Sequence, residues 1–150
     1  MADAQDIQLM RRAIALARPR LGLTGSNPAV GCVIAREGRI IAEAATAEGG
    51  RPHAEEQALA SAGDAARGAV AYVTLEPCGE RSSGQASCSE RLIAAAVARV
   101  VVACADPSPK ASRRGPDRLR AAGVEVEEDV LAAEADELYD AYLRTLARSD

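Results

Sequence analysis

Val70-Ala71-Tyr72-Val73-Thr74-Leu75-Glu76-Pro77-Cys78 is an apolar, β-branched run that stops at a charged residue, a proline and a cysteine. Residues 70–75 read as a strand buried on both faces, after which a loop takes over at Pro77. Upstream, residues 53–66 are alanine-rich and halt at Arg67-Gly68, which predicts a helix. Downstream, residues 77–87 are a loop of Gly, Ser and charged residues, residues 89–98 predict a helix, and residues 100–105 a second, almost wholly apolar strand. The rigid turn Asp106-Pro107-Ser108-Pro109 ends it. Helices and strands that alternate in this way call for parallel pairing with crossover helices.

The same reading extends to both ends of the chain. Ile7, Met10, Ile14 and Ala17 recur at helical spacing over residues 5–17, before Pro19 and Gly22. Residues 29–36 and 39–46, joined by Glu37-Gly38, predict an antiparallel hairpin. Residues 114–122 predict a helix closed by Gly123, residues 124–126 a short strand, and residues 130–147 a last helix. That helix carries Leu131, Ala135, Leu138, Tyr142 and Leu146 along one face. The expected fold is α/β: a three-layer α/β/α sandwich around a mixed sheet of about five strands, with an antiparallel N-terminal hairpin. Sites in such sheets form beside strand carboxyl ends, where helix amino termini also gather.

A length of 150 residues, 48% hydrophobic and 27% charged, is that of one ordinary globular domain. A net charge of -4 without Phe or Trp argues against nucleic acid as a partner, because phosphate rewards a basic face and single strands reward aromatic platforms. No apolar run approaches the ~20 residues that span a bilayer, and the first residues are polar and acidic, so a cytoplasmic protein with no membrane partner is expected. In that setting the four cysteines read as metal ligands or packed thiols rather than disulfides.

Chemistry concentrates in His53-Ala54-Glu55, Pro77-Cys78 and Cys88. One imidazole and two thiolates suit a tetrahedral Zn²⁺ whose fourth position is left for water. Glu55 beside that water would carry protons as an amidine carbon is attacked. H-x-E with P-C-x-x-C is the signature of zinc deaminases, and here nine residues separate Cys78 from Cys88. The residues leave two readings of Cys88 open: a third ligand returned to the metal by looping out residues 79–87, or a free thiol in a surface loop. Cys32 and Cys104 lie inside apolar strands and read as packed core. Asn27, within Thr24-Gly25-Ser26-Asn27-Pro28, is by itself turn chemistry.

Four segments together carry a more specific signal: Asn27-Pro28-Ala29-Val30-Gly31-Cys32-Val33-Ile34, Gly50-Arg51-Pro52-His53-Ala54-Glu55, the run from Tyr72 to Cys78, and Arg99-Val100-Val101-Val102 leading to Asp106-Pro107-Ser108-Pro109. Through them the chain resembles the deaminase domain of the bifunctional riboflavin-biosynthesis deaminase/reductase, within the cytidine-deaminase-like superfamily. The resemblance implies hydrolytic removal of the exocyclic amine from a diaminopyrimidinone ribosylamine phosphate. It implies Zn²⁺ on His53, Cys78 and Cys88, Glu55 as proton shuttle, and Asn27 and Ala54 against the substrate. It also implies a homo-oligomer, a dimer in the simplest case. Because the chain stops about where that family's reductase domain begins, residues 1–150 are expected to be one zinc deaminase domain, without reductase activity or a nicotinamide cofactor.

The loop Gly79 to Ser87 departs from the family, lacking its histidine and proline pair. Donors for a substrate phosphate would come from Arg81, Lys110, Arg113 and Arg114, in the two loops expected to rim the pocket. The altered loop motivates a second substrate reading: another free base, a nucleoside or a specialised metabolite. A reading of another class is a catalytically idle, zinc-stabilised binding module.

Overall fold

Asp3 and Asp6 close a reciprocal capping box at the start of the first helix, α1 (Ala4–Ala17). Asp3 Oδ1 accepts the Asp6 amide at 2.9 Å and Asp6 Oδ2 accepts the Asp3 amide at 3.1 Å. The computed structural model describes residues 2–78, 86–106 and 114–149, with side chains other than those of Arg114 and residues 141–149. The buried stripe of α1 is Leu9, Met10, Ala13, Ile14 and Ala17. At its amino end the buried position belongs to Asp6, while Ile7 is only half-buried. The expected stripe is therefore displaced there by a carboxylate.

β1 (Gly31–Arg36) and β2 (Arg39–Ala45) form the expected hairpin. Glu37 and Gly38 both take positive φ, 51° and 78°, the sense of a two-residue turn whose twist matches its strands. The register slips by one residue between Ile34 and Ala35. α2 (Ala54–Ala62), β3 (Val70–Leu75), α3 (Cys88–Ala94), β4 (Arg99–Cys104), α4 (Arg114–Ala121), β5 (Glu125–Glu127) and α5 (Ala132–Ser149) follow. The sheet order is β2-β1-β3-β4-β5. β1 runs antiparallel to both neighbours, and β3, β4 and β5 are mutually parallel.

α1 and α5 pack on one face of the sheet, and α2, α3 and α4 form the layer on the other. This is the three-layer α/β/α sandwich expected, with the mixed five-stranded sheet at its centre. β3 and β4 are buried along nearly their whole length, which is why their sequences are almost continuously apolar. Gly31 is the contact that lets α1 settle on β1, since a Cβ there would run into the Ala13 carbonyl. α5 is tied down through Tyr139, whose hydroxyl lies 2.6 Å from Thr74 Oγ1, which itself accepts the Gly31 amide at 3.0 Å. Of the face expected on this helix, Ala135 and Leu138 are buried. The side chains of Tyr142 and Leu146 lie outside the described residues.

The third helix ends earlier than its alanines suggest, at Ala94 rather than residue 98. Ala96 turns left-handed at φ 59°, with its amide on the Ile93 carbonyl (3.0 Å) and the Val97 amide on the Leu92 carbonyl (3.5 Å). That pair of bonds is a Schellman cap. It turns Val97 into the core and lets the Ala98 amide reach the Ala69 carbonyl at 2.9 Å, so the chain enters β4 in register with β3. Sheet registration wins here over local helix propensity.

Asp6 also staples α1 to the sheet. Tyr72 donates to Asp6 Oδ1 at 2.8 Å, and Arg99 grips both oxygens at 2.9 and 3.1 Å. Arg99 reaches Glu127 at 3.2 Å and Glu125 at 2.8 Å as well, which links β4 to β5. Burial pushes the Asp6 carboxyl up, but the bonds from Arg99, Tyr72 and the Asp3 amide more than offset this and hold it below the usual carboxylate value. A carboxyl depressed in the folded state stabilises fully above its unfolded pKa, near 3.9, and that contribution disappears as pH falls through the folded value. Asp6→Asn is therefore expected to cost about 2 kcal/mol at pH 7, the scale of a charge-assisted hydrogen bond. The deficit should shrink toward zero in urea melts at progressively lower pH. A deficit independent of pH would show that the charge on Asp6 is not what stabilises.

Candidate metal centre

β3 carries the chain to Glu76-Pro77-Cys78, where Pro77 has no amide to continue the ladder with β4 and the chain leaves the sheet. α2 starts one residue after His53, which holds an extended backbone at the cap position. α3 starts at Cys88, capped by Ser87, whose Oγ accepts the Glu90 amide at 3.2 Å. α2 and α3 pack side by side, and their amino termini meet at the carboxyl end of β3.

His53 Nδ1 lies 3.4 Å from Cys88 Sγ, and the Cys88 amide donates to Cys78 Sγ at 3.2 Å. The Ser89 amide donates to the Cys78 carbonyl at 3.1 Å. The candidate ligand atoms of His53, Cys78 and Cys88 all lie within 4.8 Å of one another, the one such group among the described residues. Cys88 is 1% exposed, so the surface-thiol reading is excluded. An imidazole and two sulfurs converging at this spacing are a donor set that fits Zn²⁺.

Glu55 occupies the first turn of α2 and is 4% exposed. Burial pushes its carboxyl above the usual carboxylate range, and the neighbouring Cys78 adds to this. A hydrogen bond from Glu55's own backbone amide opposes this in part, with smaller contributions from His53 and Cys88. Cys32 sits behind it, fully buried, its thiol pushed up by burial and by the charge of Glu55. Burial and Asp136 push Cys104 up to about 12. Both thiols are thus unreactive core residues, as their apolar strands suggest.

Asn27 is half-buried in a loop whose geometry is heavily specified. Thr24 Oγ1 donates to the Asn27 carbonyl at 2.6 Å, the Asn27 amide donates to the Thr24 carbonyl at 3.1 Å, and Asn27 Nδ2 donates to the Gly50 carbonyl at 3.0 Å. Gly50 takes φ 97°, and a Cβ there would lie 2.6 Å from Asn27 Nδ2, so the contact requires glycine. The Asn27 loop is thereby fastened to the segment that leads into His53. Ala54 is fully buried between His53 and Glu55. Arg81, Lys110 and Arg113 lie outside the described residues, as does the side chain of Arg114, whose backbone opens α4.

Two residues at the site carry more than their sequence context announced. Glu76 is 4% exposed although charged, and Gly115 packs so closely that a Cβ would strike the Pro77 carbonyl. A carboxylate at the end of an apolar strand, just before Pro-Cys, was the available signal for the first. The second has no local signal, because its partner lies far away in sequence.

Residues 3–104 match the family model of the cytidine and deoxycytidylate deaminase zinc-binding region. Riboflavin biosynthesis protein RibD of Escherichia coli is 44% identical over 142 residues, covering 95% of this chain and 38% of that protein. The solved structure of Acinetobacter baumannii RibD superposes with a TM-score of 0.88 at 43% identity, covering 94% of this chain and 40% of that one. A diaminohydroxyphosphoribosylaminopyrimidine deaminase/5-amino-6-(5-phosphoribosylamino)uracil reductase from Thermotoga maritima superposes with a TM-score of 0.89 at 37% identity, covering 97% of this chain and 42% of that one. The chain spans well under half the length of these relatives. No helix among the described residues is long and apolar enough to cross a membrane. A zinc-binding region that takes in His53, Cys78 and Cys88, on a sheet of this topology, shows that the chain belongs to the cytidine and deoxycytidylate deaminase family, with zinc as its metal.

Proposed function

We propose that the chain is a hydrolytic deaminase that removes the exocyclic amine of diaminohydroxyphosphoribosylaminopyrimidine, leaving a ring carbonyl and releasing ammonia. The observation that carries this reading is the convergence of His53, Cys78 and Cys88 within 4.8 Å beside the buried Glu55. The choice of substrate is supported by the 37% identity to the Thermotoga maritima deaminase/reductase. His53, Cys78 and Cys88 hold the metal. Zinc bound there supplies a Lewis acid that lowers the pKa of water toward neutrality.

The residues of the chain do the rest. Glu55, shielded from solvent, accepts a proton from the attacking water and passes it to the ring nitrogen, then takes the proton of the newly added hydroxyl and passes it to the departing amine, so that the ring carbonyl forms as ammonia leaves. Asn27, braced by Thr24 and Gly50, presents its side-chain amide to the heterocycle, while Ala54, fully buried, backs the turn that carries His53 and Glu55. Burial of Glu55 and Ala54 excludes bulk water from the reacting face.

Ammonia release tests the proposal. The phosphorylated diaminopyrimidine should be turned over far faster than its dephosphorylated analogue, cytidine or deoxycytidylate. Zinc-loaded chain without turnover on any aminopyrimidine would instead identify a binding module. Arg113 and Arg114 are assigned to the substrate phosphate, so replacing both by Ala is expected to raise KM for the phosphorylated substrate roughly 10-fold or more, as the loss of charge-assisted contacts does. An equal loss with the dephosphorylated analogue would remove them from that role.

A further inference from the structure

The segment that delivers Cys78 is held more tightly than strand pairing requires. Leu75 and Cys104 are the last ladder pair of β3 and β4. One residue on, the Glu76 amide still donates to the Cys104 carbonyl at 2.8 Å, and Glu76 Oε2 accepts the Asp106 amide at 3.3 Å. Glu76 thus joins the exits of the two strands through both its main chain and its side chain. From the other direction the start of α4 lies on the same bend, with Gly115 against the Pro77 carbonyl. Beyond the bend, the carbonyl and the sulfur of Cys78 accept the Ser89 and Cys88 amides.

A carboxylate that is 4% exposed needs partners for its oxygens, and here Oε2 takes the Asp106 amide. The bond from the Asp106 amide to the Glu76 side chain lies two residues before Cys78, so it fixes the path of the segment that delivers the sulfur. We infer that Glu76 is a positioning residue: by clamping the exit of β3 to that of β4, against the roof made by Gly115, it sets where the Cys78 sulfur stands relative to Cys88 and His53. This rests on the zinc reading above. Residues that orient a metal ligand typically contribute 10- to 100-fold in metal affinity or activity.

The test uses the whole chain and measures zinc affinity by competition with a chromophoric chelator, alongside the thiolate-to-metal absorption of the cobalt-substituted protein. Glu76→Ala is expected to weaken zinc binding roughly 10- to 100-fold, shift the cobalt band and lower kcat with little change in KM. Glu76→Gln keeps an oxygen for the Asp106 amide and should restore all three. Glu76→Asp, which draws the carboxylate back from that amide, gives the same defect more mildly should the alanine variant not fold. Gly115→Ala should also weaken zinc binding, by pushing on Pro77. Wild-type zinc affinity in Glu76→Ala or Glu76→Asp, with only a lower melting temperature, overturns the inference, as does a glutamine variant no better than alanine. Cys78→Ser separates the two readings: wild-type zinc affinity in that variant would mean the ligand assignment itself is wrong, and the inference falls with it.

Discussion

Glu55→Gln is expected to retain one zinc per chain and the native fold while losing between about 10² and 10⁴ in kcat, the usual contribution of a positioned acid–base group. The expectation follows from where the side chain lies. Glu55 is in the first turn of α2, two residues past His53, and is buried against Cys88 and Cys78. Glutamine fills the same volume and keeps a polar atom toward the same neighbours, but it cannot accept and return a proton. The loss corresponds to about 3–5 kcal/mol of transition-state stabilisation. Stability should not fall, because burying a carboxylate costs more than burying an amide, and sites that work against the fold in this way commonly gain stability when disarmed. Zinc content by mass spectrometry, thermal melting and ammonia release on the same preparation check all three parts. A glutamine variant within a few-fold of wild type would remove Glu55 from proton transfer.

Cys88→Ser is expected to lose zinc outright at concentrations that saturate the wild type. One of three ligands is withdrawn, which exceeds the 10- to 100-fold cost of disturbing a residue that only supports a ligand. Catalysis should vanish with the metal. The fold should survive, because the core of β1, β3 and β4 with α1 is aliphatic and complete without the site. Chelation of the wild type should accordingly lower its melting temperature without unfolding it, unlike small domains that fold only on metal. Serine at position 88 with wild-type zinc stoichiometry would show that this sulfur is not a ligand.

Much of this molecule was legible in the chain. The apolar runs of β3 and β4 and the Glu37-Gly38 turn follow from composition and turn chemistry, and the structure places them as read, whereas the helix read over residues 53–66 ends as an α-helix at Ala62 and finishes as a 3-10 turn over Gly63–Ala66. Elsewhere, where the reading slipped, a distant partner was responsible. Asp6 took a buried position from Ile7 because Tyr72 and Arg99 wait for it on the sheet. α3 stopped at Ala94 because Ala98 is needed beside Ala69. Gly115 is in the site because it touches Pro77. None of these partners is local, so no window of sequence contains the reason.

Residue chemistry alone determined which atoms could hold zinc: the one histidine and the cysteines at strand and helix boundaries, with an acid two positions after the imidazole. That follows because ligand softness and proton affinity belong to side chains. Tertiary structure alone decided that Cys88 returns to within 3.4 Å of His53 across 35 residues, and that Glu76 and Gly115 brace the bend before Cys78. Separation along a chain carries no distance until β3 and β4 pair and the layer of α2, α3 and α4 closes over them.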